Sequence, residues 1–370
     1  MNQSKMTARL SCIALTLAAT ASYANSDSEA QSEGSAAQVL LSAPAGLSRE
    51  AATLSPDTTE ALRMYWTPER LKNAVPMPLL QAKPGTFSQK ENHTFPPRVI
   101  EPTLPINKEL LQNDQWSNII ENTDGLKWDN ANSQAARING KLWFTKPGGG
   151  SYICSASAVT SAGKSLITTA SHCVRDKDGF YTNFFYVPAH SQESGSYAPY
   201  GEWTAKEIFS ANDEGHGGSN DVAFIVLNPD SKGRKLEEVT GASGLIFNIP
   251  RDKAEQFTFQ FGYPANRFGG QELTYCYNKG SYTEGWLKRP CNMGGGSSGG
   301  PVVTDYSHSP TSYGYTFGVH SVTYGGDPAI KGHATFGYTE ELLYNKASPG
   351  AGHNPGIGGH PPGCQDCIRP

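Results

Sequence analysis

Gly296-Ser297-Ser298-Gly299-Gly300-Pro301-Val302-Val303 is the stretch that decides the fold. It sets a serine among glycines, which let the backbone turn tightly beside the hydroxyl. The run also matches Gly-x-Ser-x-Gly, the nucleophile elbow of α/β-hydrolases, which requires a strand, the elbow and then a helix. Here a proline and two β-branched valines follow, so the serine turn is expected to enter a strand instead. Outward from it, short β-branched and aromatic runs alternate with Gly, Asn, Asp and Ser turns: Lys141–Thr145, Ser157–Val159, Ser165–Thr169, Phe184–Val187, Val222–Leu227, Phe257–Tyr263, Leu273–Tyr277, the stretch at Val303, Tyr315–Val322 and Ala334–Tyr338. Many short strands at this spacing predict an all-β sandwich or barrel. Strand never alternates with long helix, which argues against a parallel α/β sheet.

Two further motifs precede the serine. Thr169-Ala170-Ser171-His172-Cys173 follows an apolar run, and Asn220-Asp221-Val222-Ala223-Phe224 opens another. A serine hydroxyl is a poor nucleophile at neutral pH and needs an adjacent base. His172 is the candidate base, because an imidazole titrates near working pH. Asp221 would hold the imidazole tautomer and stabilise the imidazolium; Asp213 and Asp230 are rivals for that role. The order Ser, Asp, His of an α/β-hydrolase is not the order found here, which counts against a secreted esterase.

In this order the motifs resemble the chymotrypsin-like serine proteases, which carry Thr-Ala-Ala-His-Cys around the base and Gly-Asp-Ser-Gly-Gly-Pro around the nucleophile. The resemblance spans residues 138–345, and Gly262-Tyr263-Pro264, the Cys276, Met293 and Gly296 region and the Gly-Gly-Ser-Ser-Gly-Gly-Pro run look closest to the bacterial glutamyl-endopeptidase-like branch. It implies two six-stranded antiparallel β-barrels with the active site between them, nucleophile Ser298, and an oxyanion hole made by the N–H groups of Gly296 and Ser298. It also implies bridges Cys154–Cys173 and Cys276–Cys291. By carry-over, Asn292 and Met293 line the base of the primary pocket, His320 its wall, and Ser321 supports Asp221. Asn292 lacks the charge that selects Lys or Arg, so the expected preference is for acidic or uncharged residues before the scissile bond. Ser297 stands where the family has the aspartate that pairs with a new N-terminal ammonium. Arg137-Ile138 resembles an activation site, yet the usual charged switch cannot operate with a neutral serine. A catalytically inactive relative acting as a binding module is the remaining alternative.

The N-terminus reads as a signal peptide over residues 1–24: Lys5 and Arg9, the apolar run Leu10–Ala19, then Ser22-Tyr23-Ala24. It directs export and does not separate secretion from periplasmic retention. Of seven cysteines, Cys12 lies in this segment; the six left suggest three bridges in an oxidising compartment. Cys364 and Cys367 would form a small local bridge or, with His353 and His360, a metal site; one C-x-x-C pair is weak evidence for zinc, and neither metal nor cofactor is expected. Residues 25–137 read as a propeptide or pre-domain and a possible inhibitor, with one amphipathic helix over 57–73 marked by Leu62, Tyr65 and Leu71. Residues 346–370 read as a Gly/Pro-rich tail. A formal charge of −4 gives no broad attraction to nucleic acid or anionic membrane, which leaves protein or peptide substrates as the expected partners.

Overall fold

The serine turn does run into a strand, and Pro301 is its first residue, the position where a missing N–H costs a ladder least. The computed structural model describes residues 40–84, 95–107, 119–129, 133–193, 195–211, 218–305 and 313–350. The signal segment, Asp213, and the tail with Cys364, Cys367, His353 and His360 lie outside the described residues.

Five short strands precede the protease-like region: β1 (Leu40–Pro44), β2 (Val75–Pro76), β3 (Leu80–Ala82), β4 (Arg98–Ile100) and β5 (Asn122–Lys127). Then come β6 (Asn139–Thr145), β7 (Ser151–Val159), β8 (Leu166–Thr169), the small hairpin β9 (Arg175–Asp176) and β10 (Gly179–Phe180), β11 (Thr182–Pro188), β12 (Trp203–Ala211) and β13 (Ala223–Leu227). Six of these close a barrel in the order β6, β7, β8, β13, β12, β11 and back to β6. Closure leaves no free edge around the ring. Leu142, Phe144, Ala156, Ile167, Phe184, Tyr186, Ile208 and Phe224 are all buried in its core.

The second half holds β14 (Gly244–Phe247), β15 (Thr258–Gly262), β16 (Thr274–Asn278), β17 (Ser281–Thr283), β18 (Trp286–Pro290), β19 (Pro301–Thr304), β20 (Tyr315–Tyr324) and β21 (Ile330–Thr335). Six run side by side as β16, β15, β19, β20, β21 and β18, curling into a partial barrel. The seam between β16 and β18 is spanned by the Cys276–Cys291 disulfide and by Asn278, whose side-chain amide donates to the Pro290 carbonyl at 2.7 Å. Cys154–Cys173 ties β7 to the histidine turn, so both bridges implied by the family resemblance are present. Replacing Cys276 and Cys291 by serine is expected to cost about 3 kcal/mol, the loop-closure value for this spacing. Urea unfolding of the double variant checks it.

The described strands before residue 138 are laid over both barrels. β1 pairs with β12 and β2 with β7 on the first; β3 pairs with β20, β4 with β14 and β5 with β16 on the second. The single helix expected over 57–73 is two, Thr58–Tyr65 and Pro68–Asn73. Pro68 has no N–H to continue the first, and the Thr67 hydroxyl accepts from Arg70 N to start the second. Tyr65 and Trp66 pack on the outer face of the first barrel with Trp143, Ile153 and Phe185, and Trp66 Nε1 donates to the Asn183 carbonyl at 2.8 Å. Trp128 lies edge-on to Phe261 and Tyr275 in the core of the second barrel. Arg137 and Ile138, read as an activation site, fall inside the helix Gln134–Ile138, and both are buried. The strand expected over Ala334–Tyr338 ends at Thr335, and Tyr338–Ala347 is a helix. Gly337 begins it with its N–H on Glu340, and Leu343 and Tyr344 are buried in the core, where Tyr344 meets Phe224 and Phe247.

Candidate active site

β8 and β13 are antiparallel neighbours with Thr169 opposite Ala223, so the segment leaving one and the segment entering the other emerge side by side. His172 sits on the former, in a one-turn 3₁₀ helix Ser171–Cys173, and Asp221 on the latter. Asp221 Oδ2 lies 2.6 Å from His172 Nδ1, and Oδ1 accepts from the His172 backbone N–H at 2.8 Å. A carboxylate can only accept, so the proton is assigned to Nδ1, leaving Nε2 with a free lone pair. From the other barrel the Ser321 hydroxyl donates to Asp221 Oδ2 at 2.5 Å. Burial alone would raise the Asp221 pKa; the electrostatic interaction with His172 and the three donated hydrogen bonds outweigh it and hold the carboxyl below its ordinary value. Asp230, the described rival, is 2.6 Å from Arg234 in its own turn and does not touch His172.

Ser298 stands on the loop between β18 and β19, which is held from three sides. Its carbonyl accepts from Ser155 N at 2.8 Å. Gly299 N donates to the His320 carbonyl and His320 N to the Gly300 carbonyl, each at 2.8 Å, stitching the loop to β20. Within the loop the Ser297 hydroxyl donates to the Gly294 carbonyl at 2.7 Å. A neutral local bond therefore orders the place where the family carries an aspartate. The Ser155 hydroxyl donates to the Gly296 carbonyl at 2.9 Å and accepts from Tyr263 N at 2.8 Å, which fixes the peptide behind the candidate oxyanion donor. Ser155 carried no motif that would single it out in the sequence. Ser298 Oγ and His172 Nε2 are both buried and have no hydrogen-bond partner among the described residues. Such contacts are often long without a ligand and shorten when substrate arrives.

The pocket candidates are partly committed elsewhere. Asn292 Oδ1 accepts from Gly125 N at 2.9 Å and its amide donates to Asp124, both from the segment before residue 138. Met293 is fully buried in a cluster with Cys276 and Cys291. Asn266 accepts from Gly294 N at 2.7 Å and donates to the Asn292 carbonyl at 2.8 Å, bracing this loop. His320 faces His333 across β20 and β21, with ring centroids 5.3 Å apart and no hydrogen-bond partner on any of the four nitrogens among the described residues. Burial, then neighbouring positive charge that includes Lys331, pushes both pKa values well down, so both rings are neutral. Cys154, His172 and Cys173 lie close enough to resemble a metal cluster, but both sulfurs are used by the disulfide.

The Gly296 N–H is also engaged: it donates to the Met77 carbonyl at 2.9 Å.

Among solved structures, the chain is similar to the protease Anisep from Arthrobacter nicotinovorans, at 35% identity over 58% of this chain and 97% of that one, with a TM-score of 0.51. The chain belongs to the chymotrypsin-like serine proteases. A thermostable serine protease, AL20, from an extremophilic microorganism is similar at 32% identity, over 58% of this chain and 98% of that one, also with a TM-score of 0.51. No family model and no curated protein matches. The protease fold removes the esterase reading, because the serine turn opens strand β19 and no helix follows it.

Proposed function

We propose that this chain is an exported serine endopeptidase that hydrolyses peptide bonds through Ser298, His172 and Asp221. His172 Nε2 takes the Ser298 proton as Oγ attacks the scissile carbonyl. The resulting oxyanion is held by the N–H groups of Gly296 and Ser298. His172 then gives its proton to the leaving amine, and water repeats the sequence on the acyl-enzyme. The observation that carries this reading is the buried relay from Ser321 to Asp221 to His172, set beside a serine whose loop is pinned to both barrels. Export is supported by the two disulfides and by the signal-like N-terminus; no helix among the described residues is long and apolar enough to cross a membrane.

A fluorophosphonate probe on enzyme freed of the covering segment is expected to label the peptide containing Ser298. Ser298→Ala should abolish the label and His172→Ala should weaken it strongly. Folded, unlabelled protein would favour a binding module built on a dead protease.

The segment upstream of β5 is proposed to keep the enzyme latent. Ser298 and His172 are buried, and one oxyanion donor is occupied by the Met77 carbonyl of this segment. Cleavage at Arg137–Ile138 would require opening a buried helix, and we propose a processed end before β5 instead.

A preference for acidic residues is supported by His320 and His333. An acidic side chain brought against His320 would supply the counter-charge that a buried imidazolium lacks. We expect at least tenfold faster cleavage after Glu than after Leu in a peptide library, reduced to parity in His320→Leu. Equal rates in the parent enzyme would remove this preference and leave the uncharged one.

A further inference from the structure

The segment Val75–Ala82 crosses from one barrel to the other directly over the candidate site. β2 lies parallel to β7, with Val75 opposite Tyr152 and Pro76 opposite Ile153, and Met77 N donates to the Ile153 carbonyl at 2.9 Å. The Met77 carbonyl then accepts from Gly296 N, and β3 continues parallel to β20, with Leu80 opposite Val322 and Ala82 opposite Tyr324. Glycines make room for it: a Cβ on Gly295 would stand 3.0 Å from the Met77 oxygen.

Direction is what matters here. In a productive complex the acyl half stays on Ser298, between β18 and β19 of the second barrel. The departing amine must face His172, which belongs to the first barrel and is tied to β7 through Cys154–Cys173. A substrate therefore runs from β20 toward β7. Residues 75–82 run from β7 toward β20. The nitrogen that would leave from the Met77 carbonyl is that of Pro78, and the chain continues from it to β3 on the second barrel, not back to β7, to which His172 is tied.

Resting on the proposed peptidase function, we infer that the cleft has a second peptide-binding mode, in which it takes a Pro-x-Pro segment backwards along the edges of β7 and β20. Its occupant is residues 75–82 of this same chain. A carbonyl fills the oxyanion site, yet no bond is presented for cleavage, so the segment inhibits without being consumed. Prolines on both sides of Met77 stiffen the crossing, because each fixes its own φ and restricts the residue before it.

The test uses the full chain and two variants. In the first, residues 75–78 are replaced by Gly-Ser-Gly-Ser. Hydrogen exchange, read by mass spectrometry on the peptide spanning residues 294–298, is expected to quicken at least tenfold at the Gly296 amide. Unchanged exchange overturns the inference. The second variant, Pro78→Ala, changes little in the fold and separates the two directions. A backward segment stays intact on prolonged incubation, whereas a forward segment shielded only by proline would now be cut after residue 77, and that cut would overturn the reversed mode. Fluorophosphonate labelling of Ser298 is recorded alongside. Quickened exchange at Gly296 without labelling would sink the catalytic reading and leave the binding mode standing.

Discussion

Asp221→Asn is expected to lower kcat about 10⁴-fold while the protein stays folded. The reason lies in the number of acceptors. Asp221 receives three hydrogen bonds, from His172 N on Oδ1 and from His172 Nδ1 and the Ser321 hydroxyl on Oδ2. Asparagine has one oxygen. If that oxygen keeps the His172 N–H, the amide NH₂ faces Nδ1 and can be satisfied only if Nδ1 accepts. The ring proton then moves to Nε2, the atom that should take the Ser298 proton, and the base is lost without any change of shape. The loss should show in kcat and in the rate of fluorophosphonate labelling, with KM little changed. Near-normal turnover would mean that another carboxylate sets the tautomer, and Asp230, engaged by Arg234, is not placed to do so. The same variant should alter acid stability. Since the folded-state pKa of Asp221 is held below its unfolded value, its carboxylate contributes stability that is present above the unfolded value and is lost as pH falls through the folded one. Asp221→Asn should flatten that part of the pH–stability curve.

Gly299→Ala is expected to cut kcat/KM by about 10²-fold or more, the scale of loss when catalytic groups move by about 1 Å. Gly299 has φ +81°, a left-handed conformation that costs a residue with a side chain about 1–2 kcal/mol. Space is the larger obstacle. A Cβ there would stand 2.0 Å from Thr169 Oγ1, 2.4 Å from the Ser155 carbonyl and 2.8 Å from Ala170 N. All three belong to the first barrel, two of them just before His172. Relief must therefore push the serine loop and the histidine turn apart. Gly163→Ala is the matched control, since a Cβ at Gly163 meets nothing within 4 Å, and it should leave stability within about 0.5 kcal/mol. Peptide kinetics and urea midpoints for the pair measure the difference. Parent-like activity in Gly299→Ala would show that the loop tolerates far more displacement than its packing implies.

The parts of this protein legible from residues alone are those in which neighbours along the chain share one task. Pro301-Val302-Val303 announced a strand because a proline-headed, β-branched run suits one, and the strand is there. The His172, Asp221 and Ser298 motifs were readable because each lies where a regular strand begins or ends, and the chemistry demands those residue types together. The helix Tyr338–Ala347 was missed because the apolar run at Ala334–Tyr338 has no helical period, and packing against Phe224 and Phe247 decides it. Residues 75–82 show no strand pattern for a related reason: β2 and β3 are too short to carry one and exist only because β7 and β20 offer them edges.

Thus the order of motifs, the all-β class and the cysteines available for bridging were determined by the sequence, since local pattern and residue chemistry are properties of the chain itself. That Ser155 braces the oxyanion loop, that Arg137 is buried in a helix, and that Met77 offers its carbonyl to Gly296 were decided only by the tertiary structure. Each depends on backbone groups brought together from distant parts of the chain, and a backbone N–H or carbonyl carries no residue identity that a sequence could display.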